Sequence, residues 1–293
     1  MVPSQSEFIT VRGLRTHVRL WGRAGAPKIF MVHGWMDVAA SFQFVADSLA
    51  GDWQIIAPDW RGFGLSERSA SDTYWFPDYL ADLDVLLDHY APGEAVNLLG
   101  HSMGGNIASV YAGVRPARVR KLINLEGFGL PASHPEQAPK RLVQWLDALR
   151  EPPQLRPYPS AAAVAARLQK TNPRLSDERA QFLAQHWAAP NAGGQWEILA
   201  DPAHKKPNPV LYQIDEVLAA WRAITAPVLW VEAVETNMWE WMGPKPAARI
   251  EIDRRLAQLR QVRAEMMADA GHMLHHDQPE LLARMIEDFL GEP

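Results

Sequence analysis

Gly100-His101-Ser102-Met103-Gly104 places a serine in a G-x-S-x-G frame between an apolar run, Val96 to Leu99, and an Ala/Ile/Val-rich helical stretch. That context is what a nucleophile elbow requires. A serine on so sharp a strand-to-helix turn has strained backbone angles. The residues two positions either side approach each other closely, so a Cβ there would clash. The turn lifts the Ser102 hydroxyl above the sheet. The helix starting at Met103 aims its free N–H groups and positive dipole end at the same place. Ser102 is therefore the candidate nucleophile of a covalent reaction.

A nucleophilic serine needs a base. The chain has 10 histidines. Gly271-His272 follows the last strand-like run, Ala264 to Ala268, and precedes the closing helix, Glu280 to Leu290. That gives the chain order serine, acid, histidine. His275 and His276 share the loop and are rivals by proximity, with solvated-loop or pocket-lining roles as the alternative. His101 is expected to pack or to line the pocket beside the nucleophile. His89, His186 and His204 are expected at the surface. An oxyanion also needs donors. His33-Gly34-Trp35 ends the run Ile29 to Val32, so the backbone N–H of Trp35 is expected to join that of Met103. His33, Gly34 and His101 are further candidates for the substrate pocket.

The elements that would position these groups alternate. Ile29–Val32, Trp53–Ala57, Val96–Leu99 and Leu122–Leu125 read as strands. Phe42–Leu49, Tyr79–Tyr90 and Met103–Val114 carry helical apolar spacing. The pattern implies an α/β fold with a mostly parallel sheet covered on both faces. It breaks over residues 131–221, where helices follow one another. Leu142, Val143, Trp145, Leu146 and Leu149 line one face, and Ser176 is placed to cap a helix. Strand signals return at Pro227–Val231. The expected division is a core of residues 1–130 and 222–293 with a helical cap of residues 131–221 over its active face.

The whole chain fits this frame. It has 293 residues, 47% hydrophobic, with a formal net charge of −5 and no cysteine. A thiol nucleophile, disulfides and cysteine metal sites are excluded. No basic footprint points to nucleic acid. No signal-peptide core or membrane-length apolar run is present, so a cytoplasmic protein without a membrane partner is expected. The oligomeric state, monomer or dimer, is left open.

Together, His33-Gly34-Trp35, Asp59-Trp60-Arg61-Gly62-Phe63-Gly64-Leu65-Ser66, the elbow and Gly271-His272-Met273 resemble the α/β-hydrolase superfamily, in its serine-nucleophile, esterase or serine-hydrolase-like branch. The likeness covers residues 8–130 and 222–293. Gly194 to Pro202 looks like a segment near the end of the cap in serine-hydrolase-like members. By that resemblance, Asp59 and Arg61 are structural. Most relatives carry the catalytic acid as an aspartate in the loop after the strand Pro227–Val231, where this chain has Thr236 beside Glu235. Some members, including a branch of the haloalkane dehalogenases, carry it after the preceding strand. Here Leu122–Leu125 is followed by Glu126, which is the expected acid, and Glu235 is the alternative. A carboxylate beside a buried apolar run needs a partner, and an imidazole supplies one.

The implied chemistry is acyl transfer to water through an acyl-enzyme on Ser102, with a carboxylic ester as the first expectation and no metal or organic cofactor. The chain's tryptophans and apolar cap favour an uncharged or aromatic small-molecule substrate. A lactonase, a diketone-type C–C hydrolase, a cofactor-free perhydrolase or haloperoxidase, and a ligand-binding receptor with weak hydrolysis are the alternatives.

Overall fold

Apolar runs flanked by helices need both faces covered, and this chain covers them. The computed structural model describes residues 1–292. The chain opens with a hairpin, β1 (Ser4–Val11) and β2 (Leu14–Trp21), ahead of the first strand that the apolar pattern signals. The elements β3 (Lys28–Val32), α1 (Gln43–Ser48), β4 (Gln54–Pro58), α2 (Phe76–Tyr90), β5 (Val96–His101), α3 (Met103–Val114) and β6 (Val119–Leu125) then alternate as expected.

Between β6 and the next core strand lie α4 (Ala138–Arg150), α5 (Ala161–Thr171), α6 (Asp177–Trp187), a short hairpin of β7 (Ala188–Pro190) and β8 (Trp196–Ile198), and α7 (Ile214–Ala223). The chain closes with β9 (Val228–Ala233), α8 (Trp239–Met242), α9 (Lys245–Leu256), β10 (Val262–Met267), α10 (Leu274–Asp277) and α11 (Pro279–Gly291).

The main sheet has eight strands in the order β1-β2-β4-β3-β5-β6-β9-β10. β2 runs antiparallel to both neighbours, and every pairing from β4 to β10 is parallel. Successive residues of a strand alternate between the two faces. Leu98, Leu122 and Trp230 pack with Leu83, Ile107, Tyr111 and Trp221 on one side. Leu99, Ile123 and Leu229 pack with Val45, Leu282 and Ile286 on the other.

A third cluster joins α5 and α6 through Val164, Leu168, Ala180 and Leu183, and Phe44 of α1 belongs to it. Ser176 caps α6 by accepting from Arg179 N–H at 3.2 Å. The apolar face of α4 stays in solvent, with Leu142, Val143 and Leu146 about half exposed. By contrast, Leu218 and Trp221 of α7 are buried in the sheet's own core. Core packing therefore resumes at Ile214, earlier than the expected residue 222.

Candidate active site

The site sits at the C-terminal ends of β3, β5, β6 and β9, where parallel strands leave a crevice. Ser102 joins β5 to α3 with φ 52° and ψ −116°, a strained backbone for a residue with a Cβ. Its surroundings hold that strain. Ser102 N–H donates to Leu125 O at 2.8 Å, and Ser102 O accepts from Asn106 N–H at 3.0 Å. A Cβ on Gly100 would lie 2.3 Å from Gly104 O, and one on Gly104 would lie 2.2 Å from Val32 O. The glycine frame is thus dictated by backbone contact, as the sequence implied.

His272 Nε2 lies 3.0 Å from Ser102 Oγ. His272 Nδ1 lies 3.1 Å from Glu126 Oε2. Glu126 follows the last residue of β6 with φ 56°, and its carboxylate is fully buried. Oε1 accepts from Ala233 N–H at 2.6 Å, and Oε2 also accepts from Thr236 Oγ1 at 2.5 Å. Three donors thus satisfy one buried carboxylate and fix its orientation. With His272 donating from Nδ1, its Nε2 lone pair faces the serine. A proton can pass from Ser102 to His272 while Glu126 fixes the ring and stabilises its charged form.

Thr236 is a part that the sequence reading passed over. It stands where most relatives keep their acid, and it donates to the carboxylate that has moved to β6. That coincidence of position was the available signal. Glu235 pairs with Arg174 at the surface, its side chain about half exposed. Its backbone N–H donates to Ala270 O at 3.0 Å. The Glu235 carboxylate is thus engaged by Arg174, and the carboxylate bonded to His272 is that of Glu126.

The turn carrying Trp35 passes directly over the serine, since a Cβ on Gly34 would lie 3.2 Å from Ser102 Cβ. Gly34, next to Trp35, thus lies against the elbow, and Met103 opens α3 immediately after Ser102. His33 is not part of the pocket wall. Its Nδ1 donates to Gly34 O at 2.7 Å, and its Nε2 accepts from Trp60 N–H at 2.9 Å. Both ring nitrogens are spent bracing the turn, which is why it cannot reach a substrate.

Gly34 and His101 do line the cavity, as do Trp35, Ser102 and His272. The cavity holds about 600 Å³. Its walls are mainly apolar and come from Leu155, Val164, Leu168, Leu175, Trp187 and Ile198. Arg156, Arg167 and Lys205 also border it, and all three residues are exposed.

The remaining histidines divide: His101 and His276 line the cavity, within the roles expected of them, whereas His204 and His186 depart from expectation. His275 and His276 are buried rather than solvated. Burial, then the nearby charges of His275 and His272, pushes His101 well below the ordinary imidazole range. Its Nε2–H donates to His272 O at 2.8 Å. His204, expected at the surface, is stacked between Phe63 and Tyr74 at ring distances of 3.7 and 3.6 Å. Burial lowers its pKa to about 4. His186 is likewise partly buried, and burial lowers it to about 4. His89 is exposed as expected. Asp59 has the structural part that the resemblance implied. It accepts from His17 Nδ1 at 2.7 Å, Ala39 N–H at 2.7 Å and Leu65 N–H at 2.9 Å.

Comparison with known proteins agrees with this architecture. Residues 27–279 match the family model described as alpha/beta hydrolase fold. The chain belongs to the α/β-hydrolase family. It is 26% identical over 281 residues to a serine hydrolase-like protein of Danio rerio, covering 93% of this chain and 84% of the relative. It is 26% identical over 283 residues to 3-hydroxybutyrate-oligomer hydrolase of Cupriavidus necator, covering 92% and 91%. Among solved structures it resembles the thioesterase domain from the curacin biosynthetic pathway, with a TM-score of 0.85 and 26% identity over 97% of this chain and 99% of that one. The chain is a hydrolase by family. Among the described residues, no helix is long and apolar enough to cross a membrane.

Proposed function

We propose that this protein is a serine hydrolase that cleaves a carboxylic ester or thioester through an acyl-enzyme on Ser102. The observation that carries the reading is the hydrogen-bonded chain from Ser102 Oγ through His272 to Glu126. In this reading His272 takes the serine proton as Oγ attacks the carbonyl carbon. Backbone N–H groups of Trp35 and Met103 hold the developing oxyanion. His272 then gives the proton to the leaving alcohol or thiol, and water repeats the sequence to free the acid.

The apolar wall suits an apolar or aromatic acyl group against Leu155, Val164 and Leu168. Arg156, Arg167 and Lys205 border the same cavity. They favour a substrate whose far end is negatively charged, which departs from the uncharged class that the composition suggested. The helices of residues 138–187 act as a cap that shapes access. Relatives named for an ester oligomer and for a thioesterase fit this substrate class.

The test is labelling by a fluorophosphonate probe, read by intact mass, beside a panel of ester and thioester substrates. One probe per chain on Ser102, lost in Ser102→Ala together with turnover, is the expected result. An unlabelled, inactive wild-type protein would refute the reading.

A further inference from the structure

Behind the catalytic ring lies a second group of polar side chains that the hydrolytic reaction does not use. Asp37 comes from the turn after β3, His101 is the last residue of β5, and His275 lies in α10. All three are buried, at 2%, 1% and 0% exposure. One potential donor atom from each lies within 4.8 Å of the others. Asp37 Oδ2, His101 Nδ1 and both ring nitrogens of His275 have no hydrogen-bond partner. Buried polar atoms are seldom left unpaired, and several around one point need a shared occupant.

The surroundings prepare these atoms as ligands. His101 donates Nε2–H to His272 O at 2.8 Å, which leaves the Nδ1 lone pair free. A ligating histidine characteristically donates its other nitrogen to a carbonyl in this way. Asp37 Oδ1 accepts from Val38 N–H at 2.8 Å, from Trp187 Nε1–H at 3.0 Å and from the Ser41 hydroxyl. The carboxylate is thereby oriented with Oδ2 facing His275 Nε2 at 3.8 Å.

We propose that Asp37, His101 and His275 form a binding site for a divalent first-row transition-metal ion of the zinc type. Two imidazoles and one carboxylate are a common ligand set for such ions. A tetrahedral ion bound at about 2.1 Å needs ligand atoms about 3.4 Å apart. The side chains must therefore close in by less than about 1 Å each, within ordinary rotamer adjustment. Asp37 and His101 also line the Ser102 cavity, which gives the ion a path in. Once bound, it would join three segments that separately carry the Trp35 turn, the elbow and the His272 loop. Its effect would reach His272 through the bond from His101.

The test uses untagged, chelator-treated full-length protein titrated with cobalt(II) and zinc(II). The expected result is one cobalt per chain, with visible absorption bands of nitrogen–oxygen coordination that zinc displaces. The thermal midpoint should also rise with zinc and stay unmoved by magnesium. His275→Gln and Asp37→Asn should each lower zinc affinity at least about tenfold. A featureless wild-type titration, which depends on no variant, would overturn the site. So would an equal response to magnesium, or zinc binding that survives both substitutions.

Discussion

The hydroxyl of Thr236 and the Nδ1 of His272 meet the same oxygen of Glu126, Oε2. The loop after β9, which in most relatives supplies the acid itself, here supplies a donor to an acid on the neighbouring strand. The two arrangements bring a carboxylate to the same imidazole by adjacent routes.

Glu126→Gln should lower kcat by orders of magnitude with little change in KM, because an amide in this place misorients the imidazole. Thr236→Val removes one of three donors and should cost roughly ten- to hundredfold in kcat, in keeping with about 1.5–3 kcal/mol for a hydrogen bond to a charged group. Glu235→Gln should leave kcat within about twofold, since exposed ion pairs contribute little. Steady-state kinetics on folded variants ranks the three. A large loss in Glu235→Gln alone would move the acid to the β9 loop.

Ser102 carries positive φ without being glycine, a cost of about 1–3 kcal/mol. Ser102→Gly and Ser102→Ala should both lose turnover. The glycine variant should nevertheless be the more stable of the pair, because strain relief exceeds the roughly 0.5–1 kcal/mol entropic penalty of glycine. Denaturant midpoints decide this, and a less stable glycine variant would contradict the strain at the elbow.

The cations bordering the cavity should select for charge. In the double variant Arg156→Glu/Arg167→Glu, KM for a dicarboxylic half-ester should rise about fivefold relative to a neutral ester of equal length. That ratio matches about 1 kcal/mol for exposed charges, and it should shrink with added salt. Equal changes for both substrates would remove the electrostatic role.

Acid should weaken the packing around His204. Its imidazole donates Nε2–H to Arg61 O at 3.2 Å and takes the Tyr79 hydroxyl at Nδ1 at 3.3 Å. Burial lowers its pKa from 6.5 to about 4. The unfolded chain therefore binds this proton first as pH falls. The contribution of neutral His204 is full above pH about 6.5 and is lost as pH falls through about 4. His204→Gln keeps hydrogen-bonding capacity without a proton to gain, so its melting temperature should fall less than the wild type's between pH 7 and 4.5. Parallel curves would assign the acid sensitivity elsewhere, His186 being the next group with the same shift.

The local sequence by itself determined the elbow, the chain order of serine, acid and histidine, and the candidacy of Glu126. Each is written in a few contiguous residues: glycines that backbone contact demands, apolar runs that must be buried, and a carboxylate at the end of one of them. It did not reveal the β1–β2 hairpin, whose outer strand is largely exposed and carries little apolar signal. It placed the return to the core at residue 222, because the helical spacing of α7 looks alike whether the helix packs on a sheet or on a cap. The donor role of Thr236, the bracing of His33 and the meeting of Asp37, His101 and His275 were decided by tertiary structure alone. Residues 37, 101 and 275 are far apart along the chain, and only parallel strands ending at one edge of the sheet bring their side chains within reach of each other.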